Sequence, residues 1–126
     1  MKRLVVDLDG TITHEQAGVP YSEKQPNMAV IERLRVYKEQ GYEIAVYTAR
    51  NMRTYESAIG RINAHTIPVI VEWLKRHEVP FDELHVGKPW CGTDGFYVDD
   101  RAVRPSEFLT LSPDEIRDLI GATSAV

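Results

Sequence analysis

The chain has 126 residues, enough for one domain whose core needs no disulfide or metal staple. Hydrophobic residues at 43% and charged residues at 27% are ordinary for a soluble globular protein and exclude a disordered or fibrous class. The net charge of -4 excludes a basic field for nucleic acid, and the one cysteine, Cys91, excludes an intrachain disulfide.

Residues 2–8 read as a buried strand, β-branched and apolar, that runs into Asp7-Leu8-Asp9-Gly10-Thr11. The apolar run is too short for a signal-peptide core or a membrane span, so the protein is expected to be cytoplasmic, with no membrane span. Residues i and i+2 of a strand face one side, so Asp7 and Asp9 converge where the strand ends. Two close carboxylates repel unless a cation or a proton separates them, which points to a divalent metal, a proton shuttle, or both. Gly10 permits a sharp turn, and Thr11 offers a hydroxyl and an N–H to an arriving anion.

Residues 13–25 are polar, with Gly18, Pro20 and Tyr21, and read as a loop or small flap. Pro26-Asn27 opens a helix with Ile31, Leu34 and Tyr37 at helical spacing, stopped at Gly41. A second buried strand, 42–47, ends at Thr48-Ala49-Arg50. Helices are expected over 55–64 and 66–77, the second with Thr66 as N-cap and Pro68 in its first turn. Residues 84–86 read as a third strand before Gly87-Lys88-Pro89, and 96–98 as a fourth ending at Asp99-Asp100. Residues 108–111 offer a fifth. Ser112-Pro113-Asp114-Glu115 starts a last helix, which stops near Gly121, and 122–126 read as a frayed tail. Alternating strands and helices predict an α/β fold: a doubly wound, Rossmann-like parallel sheet flanked by helices in a single domain over 1–126.

Asp7/Asp9, Thr48, Lys88 and Asp99/Asp100 each fall at the C-terminal end of an expected strand. That is the ligand-binding edge of an open parallel sheet. The set suits phosphoryl transfer. Two acid pairs can hold Mg²⁺, Thr48 and Lys88 can donate to phosphoryl oxygens, and one Asp can attack while another moves a proton.

Asp7-Leu8-Asp9-Gly10-Thr11 resembles the first motif, DxDGT, of the haloacid dehalogenase (HAD) superfamily phosphatases. Thr48 resembles their second motif, Lys88 their third, and Asp99-Asp100 their fourth, in the same order over 2–104. The stretch 55–108 also resembles small phosphatase-like proteins of capsule and surface-polysaccharide loci. The resemblance implies a Mg²⁺-dependent phosphomonoester hydrolase in which Asp7 becomes an aspartyl phosphate. It implies that Asp9 protonates the leaving oxygen and then activates water. The metal would be bound by Asp7, the Asp9 carbonyl and the fourth-motif acids, with Asp100 direct and Asp99 direct or through water. Gly10, Thr11, Thr48, Ala49, Arg50 and Lys88 would hold the phosphoryl group.

Neither gap between motifs has room for a cap domain, so the protein is expected to be capless. An open site suits a large phosphorylated substrate, such as a sugar phosphate or glycan precursor, or a homo-oligomer that supplies the lid. Two other functions compete. A phospho-acceptor receiver module uses similar groups, but its acids come first and its lysine last. A catalytically silent partner subunit would not need the full residue set. The bland readings are a solvated turn for Asp7/Asp9, a helix cap for Thr48, a solvated surface lysine for Lys88, a loop start for Asp99/Asp100 and a surface ion pair for Arg50.

Overall fold

A computed structural model describes residues 2–121, so the expectation of a frayed tail over 122–126 lies outside the described residues. The chain forms two compact units, divided after Trp90.

The first unit is built on a three-stranded parallel sheet. Its strands are β1 (Arg3–Asp7), β2 (Glu43–Tyr47) and β3 (Glu83–His85), with β2 in the middle. Parallel neighbours need a crossover, which α1 (Met28–Glu39) supplies between β1 and β2. Asn27 caps α1 by accepting from the Val30 N–H at 3.4 Å. Val30, Ile31, Leu34 and Tyr37 form its buried stripe. Gly41 closes the turn after it at a φ of 91°, a conformation that a side chain would strain.

The central strand buries Ile44, Ala45 and Val46 in succession, as a strand covered on both faces does. Two further helices, α2 (Ile59–His65) and α3 (Ile67–Arg76), lie between β2 and β3 in sequence. Ile62, Ile70, Trp73 and Leu74 join Leu8, Ile12 and the α1 stripe in the core. Each fully buried side chain of this size contributes about 1.5–3 kcal/mol. Trp73 satisfies its indole N–H on the Lys24 carbonyl at 2.9 Å, which ties residue 24 to α3.

The expected helix over 55–64 starts later. Residues 50–57 are turns, with Asn51, Glu56 and Ser57 at positive φ, and α2 begins only at Ile59. Thr66 stands at the N-cap of α3 but does not cap it; its hydroxyl donates to Asn51 Oδ1 at 2.7 Å.

The second unit carries α4 (Pro105–Thr110) and α5 (Pro113–Leu119). The start of α5 is as expected: Ser112 accepts from the Glu115 N–H, and Glu115 returns the bond to the Ser112 N–H. Two expectations fail here. Residues 96–98 form no strand, and Phe96 and Val98 are 78% and 89% exposed; among the described residues the sheet holds β1, β2 and β3 alone. Residues 108–110 belong to a helix, started by Pro105 and by Glu107 accepting the Arg104 N–H at 2.8 Å.

Candidate active site at the rim of the sheet

Strand register puts Asp7, Tyr47 and His85 in one row across the sheet. The Thr48 N–H bonds to the His85 carbonyl and the Lys88 N–H to the Thr48 carbonyl, at 3.0 and 3.2 Å, so the chain crossings continue past the last paired row. Asp9, Thr48 and Lys88 therefore all leave the same C-terminal rim, where ligands bind in open parallel sheets.

After β1 the backbone turns tightly over 8–12, with Gly10 at a φ of 83°. A Cβ there would also come within 3.2 Å of the Glu15 side chain. Thr13 is buried, and its hydroxyl accepts the Gly10 N–H at 3.3 Å. This turn faces the Asp7 carboxylate toward Lys88, whose Nζ is 3.7 Å from Oδ1. Thr11 uses its hydroxyl on Asp7 Oδ2 at 3.2 Å. It orients the carboxylate at the rim, whereas the sequence suggested a donor to an arriving anion. Burial pushes the Asp7 carboxyl above its ordinary pKa and Asp9 adds to this; Lys88 and Thr11 pull it back in part.

Asp9 is held differently. Arg50 donates from Nε to Oδ2 at 3.0 Å and from Nη2 to Oδ1 at 2.8 Å, a two-pronged pairing. The Arg50 side chain is 1% exposed. It is a buried partner of Asp9 and not a surface ion pair. Its place follows from the turn after β2: Thr48, buried, accepts the Arg50 N–H on Oγ1 at 3.0 Å, and the Met52 N–H closes on the Ala49 carbonyl. Thr48 thus shapes this turn, and its hydroxyl proton is still available to a ligand oxygen.

Lys24 also faces Asp9, at 3.8 Å from Oδ1, and Glu15 at 4.0 Å. It is buried, 4.9 Å from the Tyr21 ring centre, and Tyr21 also lies 4.3 Å from the Arg50 guanidinium. Sequence reasoning missed Lys24 and Tyr21 as site residues. A lysine in a polar loop reads as solvated, whereas this one is buried in a stretch that the Trp73 indole ties to α3. Of the other basic residues near these motifs in sequence, Arg53 and His14 are exposed.

Among the described residues, no three His, Cys, Asp or Glu side chains stand close enough together to hold a metal ion. Asp99 and Asp100 belong to the second unit and are exposed, with Asp99 Oδ1 accepting the Arg101 N–H at 2.9 Å in a local turn. No described helix is long and apolar enough to cross a membrane.

No family model and no curated protein matches the sequence. Among solved structures, one of the Pnkp1/Rnl/Hen1 complex is similar at 22% identity and a TM-score of 0.53, over 79% of this chain and 30% of that one. That likeness shows the α/β fold alone. A crystal structure of a protein from Vibrio cholerae is 56% identical, with a TM-score of 0.91, over 96% of this chain and 98% of that one. With more than half the residues shared along nearly all of both chains, this chain belongs to the same family as that Vibrio cholerae protein.

Proposed function

We propose that the chain is a Mg²⁺-dependent phosphatase of the HAD type, hydrolysing a phosphomonoester through an aspartyl phosphate on Asp7. The observation that carries this reading is the shared rim: Asp7 and Asp9 leave β1 beside Thr48 and Lys88, with Lys88 3.7 Å from Asp7. An isolated acidic turn would not recruit a lysine and a threonine from two other strands.

Each group has a role in this reading. Thr11 occupies Asp7 Oδ2, so Oδ1, on the Lys88 side, attacks phosphorus while the bond to the leaving oxygen breaks. Lys88 and the Thr48 hydroxyl offset charge on the phosphoryl oxygens. Arg50 fixes the Asp9 plane and fills one lone pair on each oxygen. The outer lone pairs are the positions from which Asp9 gives a proton to the leaving group and later takes one from water. Water then attacks the aspartyl phosphate and frees inorganic phosphate.

The donor set suits a hard cation. Asp7 is a carboxylate whose desolvation outweighs its local partners, and magnesium takes few protein ligands and keeps several waters. Asp7 and the Asp9 carbonyl would hold it; Asp99 and Asp100 enter the ligand set only through the sequence resemblance. When bound, the ion neutralises negative charge as nucleophile and phosphate approach. A substrate from surface-polysaccharide synthesis remains part of the proposal and rests on the sequence resemblance.

The test is turnover of p-nitrophenyl phosphate. Hydrolysis that needs Mg²⁺, stops with EDTA and is absent in Asp7→Asn is expected. Equal hydrolysis by Asp7→Asn, or a stable phosphoprotein without turnover, would overturn the reading.

A further inference from the structure

Beside the rim lies a cleft of about 210 Å³, walled by Tyr21 and Ser22 on one side and by Arg50, Asn51, His65, Thr66 and Val69 on the others. Its lining contains no acidic residue. The volume is below the roughly 300–1,000 Å³ of drug-sized pockets, so it suits a small headgroup.

Two independent features give the cleft a preference. Arg50 spends Nε and Nη2 on Asp9, and the planar guanidinium turns Nη1 away from that carboxylate. Nη1 is buried and, among the described residues, has no hydrogen-bond partner. A buried charged donor left unpaired calls for an acceptor. The second feature is the start of α3, a helix of 10 residues whose N-cap Thr66 and third residue Val69 both line the cleft. That end carries no side-chain cap, because the Thr66 hydroxyl is spent on Asn51. An uncapped N-terminus favours an anion. His65, at the end of α2, adds a further potential donor on the same wall.

We propose that this cleft binds a second anionic group, a carboxylate or a phosphate, on the part of the substrate that is not transferred. The assignment to the substrate rests on the phosphatase reading; the anion site itself does not. Because Arg50 lines the cleft and also holds Asp9, an occupant against Arg50 also steadies the acid that serves the leaving group, and links recognition to proton transfer.

Two experiments test this. In the first, backbone amide shifts of Mg²⁺-free protein are followed during titration with sulfate and, separately, with acetate. Saturable shifts at Asn51, Thr66, Ile67 and Val69 are expected from at least one of them, and the tighter probe tells phosphate from carboxylate. Val69→Glu, which puts a competing carboxylate in the cleft, should remove them. Ser22→Asp repeats the test from the facing wall should Val69→Glu misfold. No saturable shift at these amides, or shifts unchanged in the variants, overturns the site. In the second, kcat/KM is compared for phosphoglycolate and ethyl phosphate. A preference for phosphoglycolate of roughly tenfold, the size of one charge-assisted hydrogen bond, is expected and should collapse in Val69→Glu. Equal values in the unmodified protein overturn the assignment to the substrate. If neither ester is hydrolysed, the phosphatase reading fails and the titration alone decides the anion site.

Discussion

Two stretches of this chain share one pattern and fold differently. Leu4-Val5-Val6-Asp7 and Phe96-Tyr97-Val98-Asp99 are both apolar runs that end in an acid with a second acid close behind. The first is a strand, paired along five residues with β2. The second is irregular, with Phe96 and Val98 exposed. A strand exists only as half of a ladder, and periodicity says which faces are apolar, not what lies alongside. The shorter β3 makes the same point from the other side. It has only three residues, but Asp82 anchors it, accepting the Ile44 N–H at 2.8 Å while pairing with Lys38 at 2.6 Å.

The contrast between the two acid pairs can be broken by mutation. The largest effect is expected at Asp7. Asp7→Asn should cut phosphomonoester turnover by a factor on the order of 10⁴ or more, with an unchanged circular dichroism spectrum. A smaller loss, about 10²–10⁴-fold, is expected for Asp9→Asn, and a pre-steady-state assay should show both formation and hydrolysis of the phosphoenzyme slowed. Arg50→Ala should lower kcat through a misplaced Asp9 and cost about 1–3 kcal/mol of stability in urea melts. Arg50→Lys should not restore kcat, since an ammonium cannot make the two-pronged contact. Asp100→Asn sharpens the comparison most directly. A rise of roughly tenfold in the Mg²⁺ concentration for half-maximal activity is expected if the second pair serves the metal. An unchanged Mg²⁺ profile would leave Asp100 an ordinary surface acid.

The smallest effect belongs to the β3 anchor. The Lys38 and Ile44 bonds lower the Asp82 pKa below its ordinary value of 3.8. A carboxyl held lower in the folded chain than in the unfolded one binds its proton less tightly there. Its contribution is therefore complete above pH 3.8 and fades as pH falls through the lower folded value. Asp82→Asn should reduce Tm by a degree or two at pH 7, about what a mostly exposed pair supports, and the gap to the unmodified protein should close in acid.

Much of the first unit was legible. The β1, α1, β2 and β3 regions carry local signals that agree with their packing: branched apolar runs, the Asn27 cap and the Gly41 stop. The start of α5 was equally plain in Ser112-Pro113-Asp114-Glu115. The helix at 105–110 also has a local start signal in Pro105 and Glu107, but the apolar residues that follow them fit a short strand as well as a helix. At the site, the positions of Asp7, Asp9, Thr48 and Lys88 followed from strand ends alone. What no local rule provides is the company of Asp9. Arg50 and Lys24 come from loops distant in sequence, and each lies buried beside Asp9.

The excursion between β1 and α1 is fastened. Besides the Trp73 indole bond to Lys24, Arg76 donates to the Ser22 carbonyl at 2.9 Å, so one helix grips the stretch at two points. Swinging it open would strip a buried indole of its acceptor. α3 thus fixes where this stretch lies beside Asp9. Selectivity should respond to substitutions along that helix, several residues from any reacting atom, more readily than to changes in loop length.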